Sequence, residues 1–220
     1  MLNPNGRLSA ILHTIPQCNV LADVGCDHGK LVVAAVEKGI CKKGIGIDIS
    51  AASLEKAKSY VSEKGLDDSI KLIVSDGFRS LREKIDVAVI AGMGANEIIK
   101  IISENNIAKY YILCPHQDPE LLREYINDKV TVIQDFIVKE KQKFYPIILA
   151  KNCKNMTNNY SFDEIILGKN KPESEYYVEK NIKRLEYLSN LFEKIDNTDK
   201  ISDKTRNEYE ALKRWQKSKI

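Results

Sequence analysis

Residues 20–29, VLADVGCDHG, set a buried strand directly before a tight glycine loop that carries two acids. Val20, Leu21 and Val24 supply β-forming apolar side chains, Gly25 permits a sharp turn, and Lys30 to Lys38 resumes at helical spacing. The loop therefore falls between a strand and a helix N-terminus. A glycine loop in that position commonly holds a dinucleotide pyrophosphate on helix amides. This one carries Asp23 and Asp27. Two carboxylates about 4 Å apart at an effective dielectric of about 20 repel by roughly 4 kcal/mol, which cancels much of what a helix terminus offers a phosphate. A cation suits the loop better. S-adenosylmethionine brings a sulfonium and an ammonium and no phosphate, so the loop favours a methyl donor over NAD.

Outward from this loop, β-type apolar runs occur at 20–25, 44–49, 70–75, 85–91, 109–114, 131–138 and 144–150, with helical runs at roughly 29–38, 51–64, 94–104 and 118–128. This alternation predicts an α/β fold with a doubly wound parallel sheet. The last two strands are separated only by KEKQK and should form an antiparallel hairpin at one edge. Seven strands ending so are similar to the Rossmann-like class I methyltransferase sheet, a likeness of fold that does not fix function. Residues 151–172 read as a polar connection with a candidate short strand at Glu164 to Leu167. Beyond it Val178, Asn181, Leu185, Leu188, Phe192 and Ile195 step by 3 and 4, and after the DNTD turn Ile201, Thr205, Leu212 and Trp215 continue the spacing. A C-terminal helical coiled-coil hairpin is expected, with polar Asn181 on its seam. The chain thus divides into a cofactor-binding domain over 1–152 and a linker plus helical hairpin over 153–220.

The chain has 220 residues and 43% hydrophobic content, enough for one α/β core and a small appendage. Its net charge of +3 lies in residues 151–220, where 15 Lys and Arg face 12 Asp and Glu. That balance permits nucleic-acid binding without predicting it. Lys180, Lys183, Arg184, Lys204, Arg206, Lys213, Arg214 and Lys217 could track a phosphate backbone, but acids are interleaved and a solvated face fits as well. Five scattered cysteines without a CxxC pair, and no signal peptide or long apolar span, suggest a reducing cytoplasm and no membrane. Cys-x-His occurs twice, at Cys26 and His28 and at Cys114 and His116. Structural metal sites usually show tighter pairing, so reduced thiols and no metal are expected.

The strand ends form a coherent set, because ligands of open parallel sheets lie outside the carboxyl ends of strands. The first end offers Asp23, Gly25 and Cys26. The second, GIGIDIS, offers Asp48 and Ile49, and the acid can accept from both ribose hydroxyls. The third offers Ser75, Asp76 and Gly77, where Asp76 can accept from an adenine amino group. The fourth offers Ala91, Gly92, Met93 and Gly94, a backbone free of obstructing side chains. Singly, such residues often cap helices, as Ser50 or Asp76 could. Jointly they point to a cofactor.

These residues also resemble a known family, the bacterial tRNA (adenine-22-N1)-methyltransferases of the TrmK type. The resemblance rests on Arg7-Leu8, DVGCDHG at 23–29, GIDIS at 46–50, SDG at 75–77, AGMG at 91–94 and the helical hairpin that follows. It implies methyl transfer from S-adenosylmethionine to N1 of an adenosine in the tRNA D-arm. In that family a second glycine usually follows AGMG, where this chain has Ala95, and Gln-Pro usually follows the fifth strand, where it has Cys114-Pro115. Both positions are expected to face the target pocket. AGMG lacks the Asn/Asp-Pro-Pro-aromatic side chains that hold an exocyclic amine, whereas adenine N1 can attack through its in-plane lone pair without a strong base. Catalysis then depends on in-line positioning and on an acceptor for the charge that develops on the base. Asp27 is the candidate for that role, His28 orients the base or packs, and Arg7 on an N-terminal helix presents a guanidinium to a phosphate or pairs with an acid. Competing readings are a small-metabolite methyltransferase, an inactive cofactor- and tRNA-binding paralogue, and an NAD-dependent oxidoreductase.

Overall fold

The apolar run after Gln17 becomes β1 (Cys18–Val24), and its neighbours assemble by the same alternation. They are β2 (Cys41–Asp48), β3 (Ile70–Val74), β4 (Ile85–Ala91), β5 (Ala108–Cys114), β6 (Thr131–Glu140) and β7 (Lys143–Lys151). The computed structural model describes residues 3, 6–105, 107–153, 160–169, 175–194 and 201–218. One seven-stranded sheet has the order β3-β2-β1-β4-β5-β7-β6. β1 to β5 pair in parallel, and β7 runs antiparallel to both β5 and β6, as the short KEKQK connection required. The order reverses between β1 and β4, and a crevice opens at such a switch point.

Five helices accompany the sheet: α1 (Arg7–Thr14), α2 (Lys30–Glu37), α3 (Ala51–Glu63), α4 (Ala95–Glu104) and α5 (Pro119–Ile126). Both faces of the sheet are covered, and the period of two along β4 shows it. Ala88 and Ile90 join Ile98, Leu113 and Leu122 in one core cluster, while Val87 and Val89 join Ile11, Leu21, Leu31 and Ile147 in the other.

Residues 162–167 are helical, not the short strand expected at Glu164 to Leu167. In α6 (Phe162–Leu167) Ser161 Oγ accepts from the Glu164 N–H at 3.3 Å and Glu164 Oε2 accepts from the Ser161 N–H at 2.8 Å. This capping box satisfies two orphan amides and overrides the apolar Ile-Ile-Leu run. The segment is tied to the sheet by a buried ion pair. Arg123 Nε donates to Asp135 Oδ2 at 2.7 Å, both side chains are fully buried, and the Tyr160 hydroxyl and the Lys169 N–H donate to the same carboxylate oxygen at 3.0 and 3.3 Å.

α7 (Glu175–Lys194) and α8 (Asp203–Lys217) pack antiparallel. Phe192 stacks on Tyr209 with ring centroids 4.3 Å apart, and at the other end Tyr177 meets Trp215 edge-on at 6.2 Å. The seam buries Tyr177 in place of the neighbouring Val178, with Asn181, Leu185, Leu188, Ala211 and Leu212. Asn181 is fully buried, and its amide makes no hydrogen bond of good geometry, although the Tyr177 hydroxyl lies beside it. Ile195 and the DNTD turn lie outside the described residues. Among the described residues no helix is long and apolar enough to cross a membrane.

Candidate active site

The loop after β1 is held by backbone geometry that the sequence foreshadows. Gly25 and Gly29 take φ of +73° and +68°, and Asp27 between them takes +49°, a left-handed conformation that Asp tolerates better than most residues. The Gly25 and Cys26 N–H groups both donate to the Ile47 carbonyl, at 2.8 and 3.0 Å, which stitches the loop to the end of β2. Asp48 completes the stitch. Its Oδ2 accepts from the Asp27 N–H at 3.0 Å and its Oδ1 from the Ser50 N–H at 2.9 Å. Each carboxylate oxygen has two lone pairs, so Asp48 keeps capacity for further donors. Ser50 in turn caps α3, accepting from the Ser53 N–H at 3.2 Å.

Two cavities meet at this loop. The larger, about 510 Å³, is lined by Asp48, Ile49, Ser75, Asp76, Gly77, Gly92 and Met93 among others. Ile49 is 73% exposed there, an apolar shoulder at the cleft edge. Asp76 is bridged to Lys100 at 2.9 Å and Arg79 at 3.3 Å, and these cations hold its carboxyl below the usual range. The Ser75 hydroxyl accepts from the Ser80 N–H at 3.1 Å, and Gly77 packs its backbone against Ile101. The AGMG segment lies along the end of β5: the Gly92 N–H donates to Cys114 O at 3.3 Å and the His116 N–H to Met93 O at 3.0 Å. Gly94 donates its N–H to Glu97 Oε2 at 2.7 Å.

The smaller cavity, about 120 Å³, is lined by Arg7, Asp23, Gly25, Asp27, His28 and Lys30 among others. Gly25 is common to both cavities, and the Met93 ε-methyl lies where a side chain on Gly25 would have to go. The two loop acids differ in burial. Asp27 has a 71% exposed side chain 3.4 Å from His28 Nε2. Asp23 is 5% exposed, and burial pushes its pKa up to about 7, with the Asp48 carboxylate adding and the Val32 backbone N–H opposing. The expected repulsion of Asp23 by Asp27 is thereby corrected: the carboxylate that bears on Asp23 is Asp48, and burial is the larger cause of the raised pKa.

Arg7 begins α1 at the rim. Its guanidinium lies 5.0 Å above the Tyr145 ring, and its backbone N–H donates to Glu140 Oε1 at 3.3 Å. Cys26 turns its side chain beneath the loop against Gly46, Leu54 and Ala57, where burial and the nearby acids raise its thiol pKa. Ala95 and Cys114 are 1% and 0% exposed, so neither faces the target pocket as expected; both belong to the core. Among the described residues no group of three or more His, Cys, Asp or Glu side chains could hold a metal ion. Sequence reasoning missed Glu97, Lys100 and His116 on the larger cavity. Glu97 was legible as an acid three residues past a helix start, while His116 stood only in a Cys-x-His pair.

The family profile described as Methyltransferase domain matches residues 5–148, the part of the chain that builds both cavities. The chain belongs to the methyltransferase domain family. A Mycoplasma pneumoniae protein named "Putative tRNA methyltransferase" is 31% identical to this methyltransferase over 169 residues, covering 74% of this chain and 78% of the relative. The tRNA (adenine(22)-N(1))-methyltransferase of Bacillus subtilis is 25% identical over 203 residues, covering 86% and 84%. Among solved structures, Streptococcus pneumoniae Sp1610 in complex with S-adenosyl-L-methionine superimposes with a TM-score of 0.83 at 26% identity, covering 96% of this methyltransferase and 100% of that chain. The likeness thus extends beyond the methyltransferase domain into α7 and α8.

Proposed function

We propose that this methyltransferase transfers a methyl group from S-adenosylmethionine to N1 of adenosine 22 in the D-arm of tRNA. The observation that carries the reading is the nearly full-length match to a relative named for that reaction. The cofactor fits the larger cleft: Asp48 keeps open lone pairs for ribose hydroxyls, Ile49 offers an apolar face to a flat base, and the Gly92 backbone turns at φ +80° without a side chain to obstruct it. When bound, the cofactor supplies an electrophilic methyl on a cationic sulfur. Asp23, once ionised, faces positive charge from the smaller cavity.

No side chain of AGMG can hold an exocyclic amine, so the reading assigns the ring nitrogen as nucleophile. Its lone pair needs no prior deprotonation, and positioning becomes the main contribution of the protein. Asp27, exposed beside His28, stabilises the cation that develops on the base. Arg7 at the rim addresses a phosphate. The division of labour assigns residues 1–152 to chemistry and 153–220 to the RNA, and the free cysteines suit a reducing cytoplasm. Incubation with labelled S-adenosylmethionine and unmodified tRNA, followed by digestion, should yield 1-methyladenosine. Label in small metabolites but not in tRNA, or cofactor binding without any transfer, would refute the reading.

A further inference from the structure

Among the described residues, half of the eight cations singled out on the helical pair are engaged by acids within the chain. Lys183 pairs with Glu179, Arg184 with Glu208 and Arg214 with Asp163, each at 2.6 Å, while Lys204 reaches Asp118 at 2.7 Å and Glu120 at 2.5 Å. Lys180 donates to the Leu167 carbonyl at 3.1 Å, and burial beside Arg123 pushes its pKa down to about 8. The acids beside Lys183, Arg184, Lys204 and Arg214 offset much of their attraction for a polyanion.

Beside the acids Asp23, Asp27 and Glu140, cations also gather at the mouth of the smaller cavity. Arg7 and Lys30 line it, and the turn between β6 and β7 brings Lys141 and Lys143 alongside, since Glu140 accepts from the Arg7 N–H and Tyr145 carries the Arg7 guanidinium. Among the described residues none of these four cations has a carboxylate partner within 4.0 Å, and the three lysines are exposed. Exposure alone would describe a solvated rim. Two further observations point to a ligand. Arg7 Nε is buried without a hydrogen-bond partner, although the side chain reaches the Cys114 thiol, so the guanidinium keeps hydrogen-bonding capacity for a bound acceptor. The turn is also braced in advance, because Lys139 pairs with Glu179 of α7 at 2.6 Å and Phe144 packs against the α7–α8 cluster.

We propose that Arg7, Lys30, Lys141 and Lys143 form a phosphate clamp that grips the RNA backbone beside the nucleotide entering the smaller cavity. Arg7 supplies a planar fork that suits phosphate, while Lys30 at the start of α2 and Lys141 and Lys143 at the braced turn supply point charges. α7 and α8 brace this turn and contribute less of the electrostatic attraction than their composition implies. The inference rests on the RNA substrate of the proposed function.

The test compares Lys141→Asn/Lys143→Gln with Lys213→Gln/Lys217→Gln on α8, measuring tRNA dissociation constants across a salt series. Asn suits position 141, whose φ is +56°. The turn variant should bind tRNA roughly tenfold more weakly at low salt and lower the log-log salt slope by about 2, with cofactor affinity and melting temperature unchanged. The α8 variant should change affinity less than about twofold. Should the turn variant misfold, Lys30→Gln should lower the slope by about 1. Wild-type protein that methylates tRNA while the folded turn variant, or Lys30→Gln, retains full affinity and slope would overturn the clamp alone, as would an equal loss in the α8 variant. Wild-type protein that neither binds nor methylates tRNA would overturn the functional reading and the clamp with it.

Discussion

Asp23→Asn should stabilise the free protein and weaken cofactor binding, with both effects governed by pH. Burial raises the Asp23 pKa from an ordinary 3.8 to about 7. The difference corresponds to roughly 4 kcal/mol of cost for holding the ionised form in the folded state. The sign follows from proton counts. Between about pH 4 and pH 7 the folded protein retains a proton that the unfolded chain has released, so stability falls as pH rises through this window. Below it the cost is absent; above it the cost is complete. Asn keeps the acceptor that faces the Val32 N–H and stays neutral throughout. Urea denaturation should therefore find the variant more stable by up to roughly 4 kcal/mol at about pH 8, with the gap closing towards about pH 4. Cofactor binding should run the other way. A cationic ligand selects ionised Asp23, so titration calorimetry should find wild-type affinity about tenfold weaker at about pH 6 than at about pH 8, and the variant weaker without that dependence. A stability gap independent of pH, or an unchanged affinity profile in the variant, would refute the reasoning.

Arg123→Ala should cost about 3–5 kcal/mol in denaturation experiments, because it leaves Asp135 buried and uncompensated, and loss of below about 1 kcal/mol would contradict the buried pairing. Asn181→Leu should raise stability by about 1–2 kcal/mol, since it removes a buried amide that lacks good hydrogen bonds; a destabilised or heterogeneous helical pair would instead assign Asn181 to fixing the register.

The sheet was legible because its strands are short apolar runs separated by helical periods, and the hairpin because five residues cannot carry a parallel crossover. The cofactor loop was legible because a left-handed turn leaves glycines in the chain. Other features depend on distance in space. Apart from the local Lys183–Glu179 pair, the ion pairs that engage the helical cations join residues 24 to 86 positions apart, Arg184 to Glu208 and Lys204 to Asp118, so composition alone overstated the positive face. The proton on Asp23 depends on how completely the strand end is covered, which no local pattern reveals. Ala95 and Cys114 were expected on the target pocket because they depart from the family's glycine and glutamine there, yet the strand and helix periods turn both into the core. At α6 the local signal was present and conflicting, and the capping box prevailed over the apolar run.

The charge layout around Gly25 follows from the two tasks that meet there. Asp23 and Asp48 sit on the sheet side of the loop, where a sulfonium cofactor gains from them and a phosphate would lose. Arg7, Lys30 and the β6–β7 turn stand on the outer rim, where a nucleic-acid backbone gains and a free cation would lose. Asp23 lines the same small cavity as Arg7 and Lys30, and the Met93 side chain over Gly25 marks where that cavity meets the larger one, so that a reacting base need approach only as far as this boundary. Acidic loop and basic rim are therefore a single arrangement, in which a cationic cofactor and an anionic backbone find their partners around one small residue.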